Sequence, residues 1–354
     1  MTYRVIQWST GNVGRHALRL VARHPELELV GVWVHGADKA GKDAGELAGI
    51  DPLGVTATND ADALLALDAD CVVYTATADL RPTEAIADMA RICASGKNVV
   101  SSSVVPLVYP PHVDPQMRRP LEEACAAAGV SCFTSGIDPG WANDLLPLVL
   151  TGTCEYVTEL RVMEIVNYAT YAQPTVLFDT MGFGRPLDAT PLLLVPGVLS
   201  FAWGGTVKAL AAGLGVELDE LREVHERRPA PEKIDLGFGV VEEGTTAAMR
   251  FEVQGVVGGQ PRIVLEHVTR LDDALAPEWP QPAGHSGYRV IVTGNPSYTC
   301  DVQMMGDDGD HNTAGLVGTA GRLVNAIPAV CEAGPGLLSV HDLPLVTGRG
   351  LLRS

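Results

Sequence analysis

The segment that most constrains the fold lies at the start of the chain, where a strand-like run leads through a glycine-containing turn into a helical pattern. The run is Arg4–Trp8, the turn contains Gly11 and Gly14, and the helical stretch extends from Gly14 to Arg23. The two glycines match the last two of the dinucleotide fingerprint G-x-G-x-x-G, and Ser9 occupies the first position. Gly11 lets a pyrophosphate approach the backbone, and the helix N-terminus offers N–H groups to it. The sequence therefore predicts dinucleotide binding.

Short β-branched runs then alternate with helical patterns. The further strand candidates are Leu29–Val34, Cys71–Tyr74, Asn98–Ser101 and Ser131–Thr134, and the helical stretches between them include Ala61–Leu67, Thr83–Ser95 and Pro120–Ala128. Alternation of this kind gives right-handed crossovers and a parallel, doubly wound sheet. We predict an α/β Rossmann domain over residues 1–150.

After about residue 150 the pattern changes to longer polar–apolar alternations. They cover Glu159–Asn167, Thr246–Val257, Arg262–Arg270, Gly287–Thr293 and Ser297–Met304, with a hairpin turn at 257–260 and a predicted helix at Leu218–Arg228. These features predict an α+β substrate and dimerisation domain over residues 151–310, built on an open, mostly antiparallel sheet. Residues 311–354 begin with a helical pattern, Thr313–Glu332, which we expect to pack back on the Rossmann domain.

The charge balance excludes several classes of partner. The chain has 25 Lys and Arg against 43 Asp and Glu, a formal net charge of -18. Such an acidic surface repels nucleic acid and anionic lipid, so we expect neither a nucleic-acid nor a membrane partner. The uncharged stretch Ala189–Val207 contains Pro191, Pro196 and Gly197, which favours a buried helix over a transmembrane span.

The remaining compositional signals concern the compartment and metals. The chain starts without a basic and apolar signal-peptide pattern, and its seven cysteines form no C-x-x-C pair. We therefore expect a reducing, cytoplasmic environment and no zinc site. The acidic run Asp307–His311 lacks regular ligand spacing and is interpreted as an exposed turn, so no metal is expected.

The second strand candidate bears on the choice of nucleotide. An NAD site usually has an acidic residue near the end of this strand to bind the ribose diol, but none precedes Asp38. Instead, His35 and Lys39 follow the strand, and Arg15 follows the glycine turn. These side chains suit a 2′-phosphate, so we predict NADP, with NAD as the alternative.

Further cofactor contacts are expected at the carboxyl ends of the parallel strands. The predicted cofactor-binding residues in the glycine turn and these loops are Thr10, Gly11, Asn12, Val13, Gly14, Arg15, His35, Lys39, Thr75, Ala76, Thr77 and Ser101. For Thr75, ordinary loop polarity is an equally good interpretation.

Several runs together resemble a known family, the proteins with a dihydrodipicolinate-reductase-like N-terminal domain that include 2,4-diaminopentanoate dehydrogenase and the native amine dehydrogenases. The runs are Gln7–Gly14, Tyr109-Pro110, Gly136–Trp141 with Asp144–Pro147, and Val324–Val330 with Asp342–Pro344. The resemblance covers essentially the whole chain. It implies an NAD(P)-dependent oxidoreductase that is commonly a homodimer, acts on a small-molecule substrate and adds Asn325 to the cofactor-binding residues.

The chain departs from the family at one functional position. Family members with amine activity are expected to carry a catalytic Glu just before the Tyr-Pro pair, whereas the stretch from Ser101 to Pro110 contains no acid. Asp138, where the family usually has Asn, is therefore our first candidate for the catalytic carboxylate. The alternative is that Asp138 forms an Asx turn or caps a helix over Trp141–Leu146.

Tyr168 is the second catalytic candidate, as a proton donor or a wall of the pocket; the alternative is an aromatic anchor for its domain. We assign the substrate pocket to Trp141, Leu145, Tyr109 and Glu164. Trp141 and Leu145 are four apart and would share a helix face. Glu164 shares a strand face with Val162 and Val166, which indicates either a lined cavity or a solvated face. His267 lies on another strand and could face the site, but a lone histidine on a strand is interpreted as structural.

These observations favour an NAD(P)H-dependent oxidoreductase that carries out reductive amination or amine oxidation on a substrate with an apolar substituent. The alternatives are a carbonyl/alcohol oxidoreductase without amine activity and a non-catalytic NADP(H)-binding protein. The acid missing before Tyr109-Pro110 supports the last of these.

Overall fold

A computed structural model describes residues 2–78 and 81–352. The chain divides into two compact units: the first comprises Met1–Trp141 and Leu316–Ser354, and the second Ala142–Gly315. The C-terminal residues thus belong to the first unit, as the fold prediction requires. The Rossmann and α+β fold class is confirmed, and the units are described separately below.

The helices and strands are as follows, in chain order. The helices are α1 (Asn12–Val21), α2 (Ala44–Ala48), α3 (Ala61–Leu65), α4 (Pro82–Ala94), α5 (Pro115–Ala128), α6 (Leu145–Thr151), α7 (Val198–Leu214) and α8 (His311–Glu332). The strands are β1 (Tyr3–Trp8), β2 (Leu27–Trp33), β3 (Ala57–Thr58), β4 (Cys71–Tyr74), β5 (Asn98–Ser101), β6 (Ser131–Thr134), β7 (Tyr156–Asn167), β8 (Glu220–Pro229), β9 (Ile234–Asp235), β10 (Val240–Val241), β11 (Thr246–Val257), β12 (Gln260–Arg270), β13 (Gly287–Asn295), β14 (Tyr298–Val302) and β15 (Gly336–Leu338).

The first unit is built on a seven-stranded sheet in the order β15-β6-β5-β4-β1-β2-β3, in which every pairing is parallel. The strand order reverses beside β1, because β2 lies on one side of it and β4 on the other. Ligands of doubly wound sheets bind in the crevice at the carboxyl ends of the strands beside such a switch point. The glycine turn after β1 lies at this position.

The second unit contains a six-stranded sheet in the order β14-β13-β7-β12-β11-β8. The pair β7–β12 is parallel, and the other four pairings are antiparallel. The hairpin between β11 and β12 turns at Gly258 and Gly259, whose φ angles of 59° and 74° are left-handed and favour glycine. Helix α7 packs Val207 and Leu210 into a core shared with Phe251 of the sheet.

Two apolar segments form helices of the core. The uncharged stretch at 189–207 enters α7 through proline-rich turns, as predicted. By length and composition, α8 is the one helix of the described residues that is long and apolar enough to cross a membrane. Its residues Leu323, Val324 and Ile327 are buried in one cluster with Val5 and Phe133 of the first unit, so this part of α8 packs as a core helix.

Two local predictions are wrong. Leu218–Arg228 was predicted to be a helix but forms β8, because its polar residues alternate and pair with β11, Glu226 lying opposite Arg250. The predicted helix over Trp141–Leu146 begins only at Leu145, where the Asp144 side chain caps α6 by accepting from the Leu145 N–H at 2.6 Å. Trp141 therefore lies in the preceding turn and shares no helix face with Leu145.

Candidate functional site

The turn after β1 has the geometry of a nucleotide loop. Ser9, at the position of the first fingerprint glycine, has a left-handed φ of 79°. A Cβ on Gly14 would lie 2.2 Å from the Ser9 carbonyl oxygen, so only glycine allows α1 to pack this close to the loop. A Cβ on Gly11 would meet nothing within 4 Å, which leaves open space at the start of the helix. The first-turn N–H groups of α1 have no intrahelical acceptor and suit an anion there.

The buried side chain of Gln7 holds this loop in place through hydrogen bonds. The Gln7 amide donates to the Ser9 carbonyl oxygen and to Thr75 Oγ1, both at 2.8 Å, and Gln7 is fully buried. Thr75 Oγ1 in turn lies 3.2 Å from the Trp8 carbonyl oxygen. Thr75, predicted to contact the cofactor, thus also joins the ends of β1 and β4. Sequence reasoning assigned Gln7 no role, although a lone polar residue within an apolar strand was a usable signal.

The predicted cations differ in their surroundings. Lys39 Nζ lies 3.4 Å from both the carbonyl oxygen and Oγ1 of Thr10, so its charge is held beside the loop. Arg15 and His35 are exposed. Lys42 instead pairs with Glu46 at 3.4 Å on the surface of α2.

The other predicted cofactor residues of the first unit line its loops. Ser101 Oγ accepts from the Ser103 N–H at 2.9 Å, and Ser103 Oγ donates to the Ala76 carbonyl oxygen. Thr77 is exposed. Asn325 of α8 has a buried side-chain oxygen that finds no hydrogen-bond partner among the described residues. A ligand amide would satisfy this acceptor, and together with the open space at Gly11 this fits a dinucleotide.

The loop that carries Asp138 is fixed by α8. Arg322 Nε lies 3.2 Å from Ser135 Oγ and from the Gly140 carbonyl oxygen, and Thr319 Oγ1 accepts from the Ile137 N–H at 3.2 Å. Asp138 itself is half-buried. Asp144 caps α6, so the alternative in which Asp138 caps that helix does not apply. Tyr109, half-buried, meets His341 edge-on with ring centroids 6.2 Å apart.

The second unit groups an acid, a histidine and a tyrosine on one face of its sheet. Glu164 of β7 and His267 of β12 are direct neighbours in the parallel register. His267 Nδ1 and the Tyr168 hydroxyl lie 3.1 and 3.3 Å from the same oxygen, Oε2 of Glu164. The side chains of Glu164 and His267 are only 10% and 6% exposed. The expected solvated face for Glu164 is therefore wrong, and its carboxylate is a buried acceptor.

Aromatic rings enclose the histidine of this group. The His267 ring stacks on Phe251, with centroids 4.8 Å apart and an interplanar angle of 17°. Trp203 of α7 meets it edge-on at 4.9 Å. Tyr168 stacks on Tyr171 at 4.6 Å, and its backbone N–H donates to the Arg270 carbonyl oxygen at 2.8 Å. Sequence reasoning set His267 aside because the register that places it beside Glu164 is a tertiary feature.

The opposite face of the same sheet carries a ladder of ion pairs. Glu266, 1% exposed, lies between Arg161 and Arg250, and its Oε1 is 2.7 Å from Arg250 Nε. Burial lowers the pKa of Arg250, but its hydrogen bonds to Glu266 and Glu226, together with the negative charges of Glu266 and Glu252, outweigh burial and raise that pKa overall. Burial alone would raise the pKa of Glu252. Hydrogen bonds from Gln254 and Arg161, together with the positive charges of Arg161 and Arg250, lower the pKa below its usual value. Because these charges are paired with one another, we assign the ladder a structural role.

A cleft of about 640 Å³ opens elsewhere in the second unit. Its acidic residues already serve the local structure. Asp273 accepts from the Asn167 amide at 2.7 Å, and Asp310 accepts from the Asn312 N–H at 2.6 Å at the start of α8. His311 Nε2 lies 2.7 Å from the Asn167 carbonyl oxygen. Asp310 and its neighbours thus cap a helix, in agreement with the interpretation of Asp307–His311 as a turn.

Comparison with known proteins accounts for both units. Residues 5–103 match the family model of the dihydrodipicolinate reductase N-terminus, and residues 141–350 match that of the 2,4-diaminopentanoate dehydrogenase C-terminal domain. An amine dehydrogenase of Streptomyces virginiae is 44% identical over 352 residues, which is 98% of each chain. The chain belongs to the amine dehydrogenase and 2,4-diaminopentanoate dehydrogenase family. The 2,4-diaminopentanoate dehydrogenase of Acetoanaerobium sticklandii is 25% identical over 263 residues, 73% of this chain and 70% of that one.

Solved structures agree with this family in their fold. The amine dehydrogenase of Mycobacterium smegmatis superposes with a TM-score of 0.76 at 20% identity, covering 99% of this chain and 98% of that one. A scyllo-inositol dehydrogenase of Lactobacillus casei with bound NAD(H) gives 0.56 at 13% identity over 93% and 89% of the two chains. The predicted family and its NAD(P)-dependent dehydrogenase activity are confirmed.

The family assignment leaves the individual site residues of this dehydrogenase as predictions. The first unit holds the proposed nucleotide residues and Asp138, and the second holds Glu164 and Tyr168. Leu145, at the start of α6, and Trp141, in the turn before it, are both half-buried. The acid missing before Tyr109 focuses attention on Glu164, which is the buried carboxylate beside Tyr168.

Proposed function

We propose that this dehydrogenase interconverts a primary amine carrying an apolar substituent and the corresponding ketone or aldehyde. The observation that carries the proposal is the Glu164 carboxylate, buried on the sheet of the second unit and contacted by His267 and Tyr168. A buried carboxylate is a partner for an ammonium or iminium group, whereas an oxyanion would require a donor instead.

The chemistry assigns a role to each group. A bound nicotinamide would supply the hydride chemistry, with oxidation and reduction taking place at the carbon that bears the amine. Oxidation of R₂CH–NH₃⁺ releases one proton and leaves the iminium R₂C=NH₂⁺, which water hydrolyses to the ketone and ammonium. Glu164 binds the ammonium group and takes up that proton, and the Tyr168 hydroxyl holds the carboxylate. Asp138 remains our other candidate for this carboxylate, and Trp141, Leu145 and Tyr109 our candidates for the walls around the apolar substituent.

We also propose NADP as the preferred nucleotide. Lys39 beside Thr10, together with the exposed Arg15 and His35, supports a 2′-phosphate contact, and no acid precedes Asp38 to bind a ribose diol. For the assembly, we propose a cytoplasmic homodimer without nucleic-acid or membrane partners.

The test follows NADPH oxidation with hydrophobic ketones and aldehydes, with and without a high concentration of ammonia. We expect turnover that depends on ammonia and a loss of at least about 100-fold in Glu164→Gln, the usual size of a general acid–base contribution. Glu159→Gln is the matched control, since Glu159 lies on β7 but on the other face, beside Arg161 at 3.6 Å. Full activity in Glu164→Gln together with its loss in Asp138→Asn would transfer the role to Asp138.

The remaining outcomes separate the alternatives. Equal turnover with and without ammonia would indicate a carbonyl/alcohol oxidoreductase. Binding of NADPH without turnover of any carbonyl compound would indicate a nucleotide-binding protein that is not an enzyme.

A further inference from the structure

We propose that His267 is a positioning residue that fixes the Glu164 carboxylate in the orientation that binds the substrate ammonium. The inference rests on the proposed amine chemistry of Glu164 and extends it to the neighbouring strand. His267 Nδ1 lies 3.1 Å from Glu164 Oε2. The Tyr168 hydroxyl reaches the same oxygen at 3.3 Å, so two polar groups from different parts of the chain converge on one oxygen of the carboxylate.

The sheet register places His267 in a transverse row. Across β13, β7, β12, β11 and β8, the residues directly opposite one another are Tyr288, Glu164, His267, Phe251 and His225. Side chains that are direct neighbours in such a row point to the same face. Glu164 thus has a tyrosine opposite it on one neighbouring strand and the histidine opposite it on the other, and its carboxylate contacts the histidine.

The aromatic enclosure explains why the histidine holds its position. Phe251 covers one face of its ring, and Trp203 meets the ring edge-on. His267 is only 4% exposed, so water competes little for the contact between Nδ1 and Glu164. A hydrogen bond to a charged group in such a site has a large effect on the orientation of that group.

Two variants separate the hydrogen bond from the packing. His267→Phe keeps an aromatic ring against Phe251 and Trp203 but loses the donor, whereas His267→Asn keeps an N–H donor at a similar distance along the side chain. We expect His267→Phe to raise the KM of the amine by about 10- to 100-fold, with a smaller effect on kcat, and His267→Asn to recover most of the loss. His225→Phe is the matched control, because His225 lies in the same row but is exposed on the edge strand β8.

A second measurement does not depend on turnover. Calorimetric titration of the enzyme with NADPH and cyclohexylamine forms a complex that cannot react, because both ligands are in the reduced state. We expect the amine affinity to fall about tenfold or more in His267→Phe, to recover in His267→Asn, and to remain unchanged in His225→Phe. NADPH affinity should be the same in all four proteins.

The outcomes distinguish the two proposals. Wild-type protein that shows no ammonia-dependent turnover would overturn the proposed function, and the titration would still test His267. Unchanged amine affinity and KM in His267→Phe would overturn the positioning role. Equal losses in His267→Phe and His267→Asn would also overturn it, since restoring an N–H donor would then not restore amine binding.

Discussion

The two units of this dehydrogenase hold negative charge in different ways. In the first unit, backbone N–H groups provide the contacts: the start of α1 faces open space at Gly11, and the Asp43 carboxylate accepts from the N–H groups of Gly45, Leu53 and Gly54 at 2.7 to 2.8 Å. In the second unit, side chains provide them, and Glu266 lies between Arg161 and Arg250. A backbone site requires a defined chain geometry, whereas a side-chain site requires the right partner on a neighbouring strand.

The largest expected effect comes from a substitution in the ladder of ion pairs formed by Arg161, Glu266 and Arg250. Glu266→Gln removes the carboxylate that lies between Arg161 and Arg250. The side chains of these two arginines are 24% and 28% exposed. Because the amide replaces a buried carboxylate that accepts a charge-assisted hydrogen bond from each arginine, we expect a loss of about 3 kcal/mol in the free energy of unfolding. Urea denaturation measures this loss. Glu220→Gln is the control, since its pair with Arg222 is exposed and should contribute under about 1 kcal/mol.

The next prediction concerns the glycine turn, where an added Cβ would change the backbone geometry. In Gly14→Ala the new Cβ would lie 2.2 Å from the Ser9 carbonyl oxygen, so we expect a loss of about 2 kcal/mol in stability together with weak nucleotide binding. Gly11→Ala adds a Cβ into open space and should weaken NADPH binding with little change in stability. Thermal unfolding and calorimetric titration of both variants measure the two effects. Equal stability losses in the two variants would contradict the distinction.

A third prediction concerns the pKa of one carboxylate in each unit, Asp43 in the first and Glu252 in the second. Backbone N–H groups, the Leu53 N–H foremost, hold the pKa of Asp43 below its usual value. The pKa of Glu252 is also lowered, because hydrogen bonds from Gln254 and Arg161 outweigh the opposing effect of burial. A lowered folded-state pKa means that ionised Glu252 stabilises the fold above the ordinary value of 4.5, and that this stabilisation is lost as the pH falls through the folded-state pKa.

The measurement is a carboxyl-carbon NMR titration of the wild type and Arg161→Gln. We expect the pKa of Glu252 to rise in the variant and the pKa of Asp43 to stay unchanged, because the contacts of Asp43 come from its own loop. A parallel rise of both values would show that the two sites share one electrostatic cause.

The smallest expected effect concerns the choice of nucleotide. Lys39→Ala should weaken NADP binding about tenfold and NAD binding much less, since only NADP carries the 2′-phosphate. Lys42→Ala is the control, because Lys42 pairs with Glu46 at the surface. Calorimetric titrations with both nucleotides test the prediction. Equal losses of affinity for NAD and NADP would show that Lys39 supports the conformation of the loop and does not contact the 2′-phosphate.

Sequence reasoning recovered the first unit better than the second. The glycine turn and the alternating strands and helices are local patterns, and the structure reproduces them as β1, α1 and a parallel sheet. In the second unit, Leu218–Arg228 was predicted to be a helix because its acidic start and basic end mimic helix polarity. Pairing with β11 overrides that preference, since Arg250 and Glu226 lie opposite each other and form an ion pair at 2.9 Å.

The same limit applies to the candidate site. Glu164 was assigned to the pocket from its strand face alone, but no spacing in the sequence connects residue 164 with residue 267. Their contact arises because β7 and β12, distant in sequence, pair in parallel with one register. Similarly, the capping role of Asp144 shortened a predicted helix and separated Trp141 from Leu145.

The sequence by itself determined the Rossmann unit, its glycine turn and the family, because each depends on residues close together in the chain. Only the tertiary structure decided that Glu164 is a buried acceptor beside His267 and Tyr168, because the register between distant strands brings these side chains together. Local propensities specify elements one at a time, whereas a site of this kind exists only after the elements have paired.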